Sequence, residues 1–421
     1  MKRLLLLFPL IFILILAGCS TSMMADPGVD LGRQEMGEAL KQAGLTEVLM
    51  SRPEVFYDGS QWMEKFASMV ESAQQYVIIT VFLGSICPEN QKVIDAIIAK
   101  AESGVPVYLV YDGTGAFDMT ESRYHLKPLS DLAEIEGIHV LEYHPFSVTR
   151  IINPWNLIQR DHRKFIIIDG SQVAIGGMNL NYISLSPAGE GGQRDSMYSF
   201  FSADAGRKLT EDFVEFWNSQ SWDEISLERF SPAQRTDEEV LTGYLANQYG
   251  DNLLMSRMYG TLLGSARQKV DCLPFLPYSD ANMQKALAET VRRGVDLTMI
   301  VPFDSRQGQK KATYYMMPDL VDTGVQIRVE NDGADWMGLL HEKLMVVDGR
   351  YVCFGSSNFN YRSMNLSNEI MIVLDDEELA SKVTEHFEKL KQDTYVLDRD
   401  AAQQMRKKSN IFSFIFGFFG G

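Results

Sequence analysis

Two histidine–lysine pairs are the residues best suited to chemistry in this chain. His162 and Lys164 open "HRKFIIIDGSQVAIGGMNL", and His341 and Lys343 open "HEKLMVVDGRYVCFGSSNF". His, Lys, Asp, Gly, Val, Gly and Asn coincide between the two segments without a gap. On a strand, residues i and i+2 face the same side, so each His projects together with its Lys. The residues after each Lys are apolar and continue a buried strand. Asp169-Gly170 and Asp348-Gly349 then mark tight hairpin turns. A second strand returns and brings Asn179 back beside His162 and Lys164. In the second segment it brings Ser356 and Asn358 back beside His341 and Lys343.

A His, a Lys and an Asn make a poor metal site and a good phosphate site. Lysine supplies a point charge, while Asn179, Ser356, Asn358 and backbone N–H groups supply phosphate-binding donors. Histidine attacks phosphorus or delivers a proton. Two copies face to face place two His and two Lys around one phosphodiester. One His attacks, the other protonates the leaving alcohol, and the lysines neutralise the non-bridging oxygens. Such a site needs neither metal nor cofactor. Asp169 and Asp348 belong to the same pattern and are counted with the catalytic groups, although a turn role suits them better than a catalytic one. His125, His139, His144 and His386 lack such company and are read as structural or surface residues. Arg194 and Arg362 fit either a lipid phosphate or local carboxylates.

The elements that must position these groups come in two copies. "YVIITVFLG" (76–84), "VPVYLVYDG" and "IHVLEYH" read as strands, with a helix over 90–104 closed by Gly104. The second copy runs "QKVDCLPFLP" (268–277), a helix over 280–294, "VDLTMIVPFD" and "VQIRVEN". Each His–Lys segment falls late in its copy, and helices follow at 204–218 and 375–390. The alternation predicts α/β lobes with mostly parallel sheets flanked by helices. The expected divisions are a leader over 1–18, a tether and first helix over 19–50, lobes over 51–225 and 226–400, and a tail over 401–421.

Both segments match the HxKxxxxD motif, and the chain resembles the phospholipase D superfamily over nearly all of residues 70–392. Within it, "RDHRKFIIIDG", "GGMN", "GVDLTMIVP", "LLHEKLMVVDG" and "GSSNFNYRSMNLSNE" are most similar to bacterial cardiolipin synthases. The resemblance implies two pseudo-symmetric α/β/α lobes with the active site between them, and a phosphohistidine intermediate. It also implies an acidic residue downstream of each motif that orients a histidine, for which Asp195 and Glu369 stand in place. One departure is Gly177, which leaves Ser356 without a hydroxyl twin. The implied activity is phosphatidyl transfer, with phosphatidylglycerol as donor. Hydrolysis by a phospholipase D is the nearest alternative. A nuclease or a non-catalytic lipid-binding lipoprotein fits less well.

Composition narrows the partners. The chain has 421 residues, 45% of them hydrophobic, and a net charge of −17. Such acidity argues against a broad grip on nucleic acid. Lys2 and Arg3 precede an apolar run from Leu4 to Leu16, and "LAGCS" follows. This is similar to a bacterial lipoprotein signal, with Cys19 the lipidated residue. The expected location is the periplasmic face of the outer membrane in a two-membraned cell, otherwise the outer face of the plasma membrane. Cys87, Cys272 and Cys353 give no disulfide framework. In the tail, Arg406, Lys407 and Lys408 precede Phe412, Phe414, Phe416, Phe418 and Phe419. This segment suits either a membrane interface or packing on the protein.

Overall fold

A computed structural model of the chain describes residues 33–114, 126–145, 158–250, 253–278, 280–303, 305, 307–331 and 338–420. Cys19 and His125 lie outside them. Two sheets dominate. The seven-stranded sheet runs Glu54–Phe56, Met197–Phe201, Gln172–Gly176, Phe165–Ile168, Val77–Val81, Val107–Asp112, Ile138–Tyr143. The nine-stranded sheet repeats the order from Glu369–Asp375 inward: Tyr351–Gly355, Lys343–Val347, Lys269–Pro274, Asp296–Val301 and Gln326–Glu330. Leu241–Gln248 and Thr46–Met50 extend it on one edge, and Thr394–Val396 on the other.

Period-two alternation sorts the apolar side chains onto the two faces of each sheet. Ile78, Phe165, Ile167, Val173, Ile175, Tyr198 and Phe200 share one core with Leu344, Val346, Val352, Phe354, Ile370 and Ile372 of the other sheet. Tyr198 stacks on Phe354 across that boundary, with ring centroids 3.9 Å apart. The helices Ala203–Gln220 and Glu377–Gln392 contribute Phe213, Trp217, Val383 and Phe387 to this shared core. The opposite faces are covered by Gly59–Ser72 and Gln91–Glu102 on the first sheet. On the second they are covered chiefly by Leu254–Ser265, Ala281–Arg292 and Gln307–Asp322. Gly104 and Gly294 both take φ +88° just past their helices, the left-handed conformation that ends a helix.

The two-lobed α/β layering is as expected, but the expectation of mostly parallel sheets is corrected. Within the two sheets, parallel strand pairing is confined to Val77–Val81, Val107–Asp112 and Ile138–Tyr143, and to their counterparts Lys269–Pro274, Asp296–Val301 and Gln326–Glu330. These are the strands joined through helical crossovers. The Asp-Gly hairpins reverse the chain without a crossover, so every pairing they build is antiparallel. The segment read as a tether and first helix contains that helix, Arg33–Gln42. It also carries the strand Thr46–Met50, which pairs with Leu241–Leu245 of the second sheet.

The C-terminal segment forms the helices Arg399–Lys407 and Ile411–Gly420, both along Gln307–Asp322. Arg406 donates to the Tyr315 carbonyl at 2.6 Å and pairs with Asp319 at 2.6 Å. Phe414 stacks on Tyr315, centroids 5.1 Å apart. One side of the tail therefore packs on the protein. Ile411, Phe412 and Ile415 are exposed. The side chains of Phe416, Phe418 and Phe419 lie outside those described. Among the described residues, no helix is long and apolar enough to cross a membrane.

Candidate active site

Each histidine-bearing segment is tied to the other half of the chain before it enters its own sheet. His162 donates its backbone N–H to Asn368 O at 3.0 Å, and Asn368 donates to Arg160 O at 2.9 Å. His341 likewise donates to Arg194 O at 2.8 Å, and Arg194 to Leu339 O at 2.9 Å. These short parallel bridges, Asp161 with Asn368 and Arg194 with Leu340, lie immediately before the two acidic residues. They carry each carboxylate across the junction. Glu369 of the second half lies 3.0 Å from His162 Nδ1, and Asp195 of the first half lies 2.5 Å from His341 Nδ1. The orienting carboxylates are thus exchanged between halves. With Nδ1 held in both rings, Nε2 is the nitrogen left for phosphorus or proton chemistry.

The lysines lie beside their histidines. Lys164 Nζ donates to His162 O at 2.7 Å. Lys343 Nζ donates to His341 O and lies 2.7 Å from His341 Nδ1 and 3.9 Å from Asp195. Nδ1–H donates to the Asp195 carboxylate, so the ammonium adjoins that nitrogen without donating to it. Both lysines and both histidines are buried. Arg362, on the short helix Tyr361–Asn365, is buried too, and its charge weighs on His162.

Burial sets the charge states. It pushes Lys164 down to about 7 and Lys343 down to about 8, against the pull of Glu369 and Asp195. His341 falls to about 4 through burial and Lys343, with Asp195 opposing. His162 is held well below the usual imidazole range by burial, Lys164 and Lys343. The two carboxylates differ. Burial pushes Glu369 up to about 7, with Lys164 opposing. Burial also pushes Asp195 upward, but Lys343 and His341 outweigh it and hold Asp195 below the usual carboxylate range.

The difference in carboxylate length accounts for the break in symmetry at Gly177 and Ser356. A methyl group at Gly177 would collide with the Asp195 carboxylate. The longer Glu369 leaves room for Ser356, whose Oγ donates to it at 2.5 Å and accepts from Ile370 N at 3.0 Å. Ser356 was expected among the phosphate-binding groups; its hydroxyl is instead occupied in holding Glu369. Asn179 Oδ1 accepts from Leu83 N at 3.1 Å, which leaves its amide N–H groups as donors. Asn358 is buried, with Oδ1 unpartnered among the described residues. Arg194 is turned away, to Glu330 at 2.5 Å and the Gly338 carbonyl.

Asp169 and Asp348 are placed elsewhere, which corrects their inclusion among the catalytic groups. Each lies at the far end of its strand, roughly 20 Å along the chain from its histidine at about 3.3 Å per residue. Asp169 takes φ +50° and accepts backbone N–H groups of Gln74, Gln75 and Tyr76 at 2.7–3.0 Å. Asp348, at φ +53°, does the same for Arg267, Gln268 and Lys269 at 2.8–3.0 Å. Asp169→Asn is therefore expected to lower stability by about 1–3 kcal/mol while the folded fraction keeps its turnover number. Urea denaturation beside an activity assay checks this, and a hundredfold loss of turnover in folded protein would contradict it.

Two aromatic residues of the site escaped the sequence reading. Phe82 lies edge-on to His162 at 4.7 Å and Phe275 to His341 at 4.4 Å, each with a lysine Nζ about its ring at 5.1 and 4.8 Å. The signal was the "FL" that closes both equivalent strands, Phe82-Leu83 and Phe275-Leu276. The middle residues of the motifs face the shared core. Arg163 pairs with Asp161 at 2.8 Å, and Glu342 accepts from His386 Nε2 at 2.8 Å. His386, His139 against Tyr108, and His144 against Tyr143 are all packed structural residues.

Duplicated α/β lobes with paired His–Lys motifs at their junction define an enzyme of the phospholipase D superfamily. The chain belongs to the family described as "Cardiolipin synthase, PLD-like domain", whose model matches residues 66–217 and 259–391. It is 26% identical to cardiolipin synthase 1 of Staphylococcus epidermidis over 363 residues, 83% of this chain and 69% of the relative. It is 25% identical to cardiolipin synthase 1 of Bacillus anthracis over 344 residues, 79% of this chain and 64% of the relative. Among solved structures it shares its fold with phosphatidylserine synthase of Haemophilus influenzae Rd KW20. The TM-score is 0.63 at 14% identity, covering 90% of this chain and 97% of the other.

Proposed function

We propose that the chain transfers a phosphatidyl group between alcohols as a cardiolipin synthase does, with phosphatidylglycerol as donor and a second lipid hydroxyl as acceptor. The observation that carries this reading is the exchanged pairing of His162 with Glu369 and His341 with Asp195 beside two buried lysines. In the first step His162 Nε2 attacks phosphorus, the P–O bond to the donor's glycerol breaks, and His341 gives that oxygen its proton. In the second step the acceptor hydroxyl returns a proton to His341, attacks phosphorus, and the P–N bond breaks. The ionised Asp195 favours the protonated form of His341, which suits that ring to hold the proton it delivers. A bound phosphodiester adds negative charge that raises both rings. Lys164, Lys343 and the amide of Asn179 stabilise the non-bridging oxygens.

The leader and Cys19 support attachment through an N-terminal lipid, on the outer face of a membrane that also holds the donor. The test is the product spectrum of the protein with labelled phosphatidylglycerol, with and without added alcohol. The expected products are a diphosphatidyl lipid alone, and then label on the added alcohol. EDTA is expected to leave the rate unchanged. Phosphatidic acid as sole product under every condition would replace transfer by hydrolysis. Loss in EDTA restored by a divalent ion would remove the two-histidine, two-lysine mechanism.

A further inference from the structure

The first turns of the C-terminal helix Ile411–Gly420 present apolar side chains that the described residues leave exposed. Its other side is fastened: Phe414 stacks on Tyr315, and Asn410 caps the first turn by accepting from Ser413 N at 2.9 Å. The helix therefore has a set orientation before any partner arrives. Phe412 is 78% exposed, and Ile411 and Ile415 are exposed beside it. Residues three and four positions apart on a helix are neighbours on one face, so Ile415 adjoins both Phe412 and Ile411. Isolated apolar residues on a surface are ordinary, but three contiguous ones on an anchored helix form a patch.

Cations border that patch. Lys407 and Lys408 are exposed in the preceding turn, and Ser409 Oγ donates to the Lys311 carbonyl at 2.5 Å, which places a third exposed lysine alongside. The whole chain carries a net charge of −17, so a local run of lysines beside bulky apolar groups runs against its average. An acidic protein partner would be attracted to the lysines but offers little to Phe412. An anionic bilayer surface meets both features, because acyl chains take the apolar groups while headgroups take the ammonium groups. The location fits as well. The helix Ile411–Gly420 lies against Tyr361–Asn365, the short helix that carries Arg362 into the site.

We propose that Ile411, Phe412 and Ile415, flanked by Lys311, Lys407 and Lys408, form an interfacial dock for an anionic bilayer that turns the catalytic cleft toward the lipid. The dock is independent of the N-terminal lipid, and its link to turnover rests on the transfer reaction proposed above. Entry of a phenylalanine and two isoleucines into the interface stabilises the bound state through apolar burial. Each lysine adds about fivefold in affinity for an anionic surface.

The experiment uses the full chain with vesicles of phosphatidylglycerol or of phosphatidylcholine. Hydrogen exchange over 407–420 is followed beside turnover on vesicles and on a short-chain, monomeric donor. Protection of 411–415 is expected with phosphatidylglycerol vesicles and much less with phosphatidylcholine. Phe412→Asp is expected to abolish that protection and lower vesicle turnover at least about tenfold, with turnover on the monomeric donor unchanged. Lys407→Gln with Lys408→Gln is expected to remove the preference for anionic vesicles. Unchanged exchange in the presence of vesicles overturns the proposal. So does protection that grows with protein concentration without lipid, which would assign the patch to a second copy of the chain. Equal loss on both substrates in Phe412→Asp also overturns it, and would make the helix a support for Tyr361–Asn365. Absence of any turnover on the monomeric donor by the unaltered chain would instead refute the proposed reaction, while the exchange result would still decide the dock.

Discussion

His162→Ala and His341→Ala are each expected to lower turnover by at least about three orders of magnitude, with the fold retained. Each ring is buried at the junction, but its removal leaves the cross-half backbone bridges intact, because these use main-chain atoms. The two losses have different origins, and a donor with an activated leaving group separates them. Such a donor leaves without a proton, so the first step no longer needs His341. In His341→Ala a phosphoryl adduct should then accumulate on His162, detectable by mass spectrometry at alkaline pH, where phosphohistidine survives. His162→Ala should accumulate none. An adduct on His341 would reverse the two roles. Full turnover in either variant would end the two-motif mechanism.

Lys164→Met and Lys343→Met are expected to cost about 10²–10³ in turnover, the scale of losing one preorganised donor to developing charge. The pH dependence is the sharper test. A lysine holds phosphate only while charged, and burial lowers these two to about 7 and about 8. The value of kcat/KM reports the free enzyme. The need for both charged lysines should therefore make it fall as pH rises above about 7, well below the 10.4 of an ordinary lysine. The acidic limb should lie low, because His162 is neutral far below the usual imidazole range. An alkaline limb near 10 would contradict the buried cations. Stability moves the other way. Between about 7 and 10 the unfolded chain binds more protons at these two positions than the folded one, so their contribution to folding stability rises with pH.

Much of this site was legible in the chain itself. A lone histidine on an apolar strand is most simply a packed core residue. Two histidines, each with Lys, Asp and Asn at matching offsets inside a duplicated α/β unit, are not explained that way. The offsets are local, and strand geometry converts them directly into neighbours. This is why the His–Lys pairs and the hairpin turns could be placed without coordinates. The helices over 90–104 and 280–294 were legible for the same reason, since a periodic apolar face ended by a left-handed glycine is a local signal. Asp195 and Glu369 were identifiable only through the family resemblance. Their offsets from the histidines differ, so alignment of the two halves alone did not select them.

The pairing of those acids with the histidines was decided by tertiary structure. Reading each half separately associates Asp195 with His162 and Glu369 with His341. The folded chain exchanges them, because the segments before each acid bridge to the opposite histidine segment through main-chain hydrogen bonds that carry no side-chain signature. Sheet sense was decided at the same level. The alternation of strands and helices suggests parallel pairing, but only the strands joined by crossovers can pair that way. The edge position of Thr46–Met50 depends on contact with residues nearly two hundred positions away. The charges of the site are likewise a property of the assembled molecule. Lys164 and Lys343 have ordinary lysine chemistry in the unfolded chain. The closing of two lobes around them removes the water that would have kept them charged to higher pH.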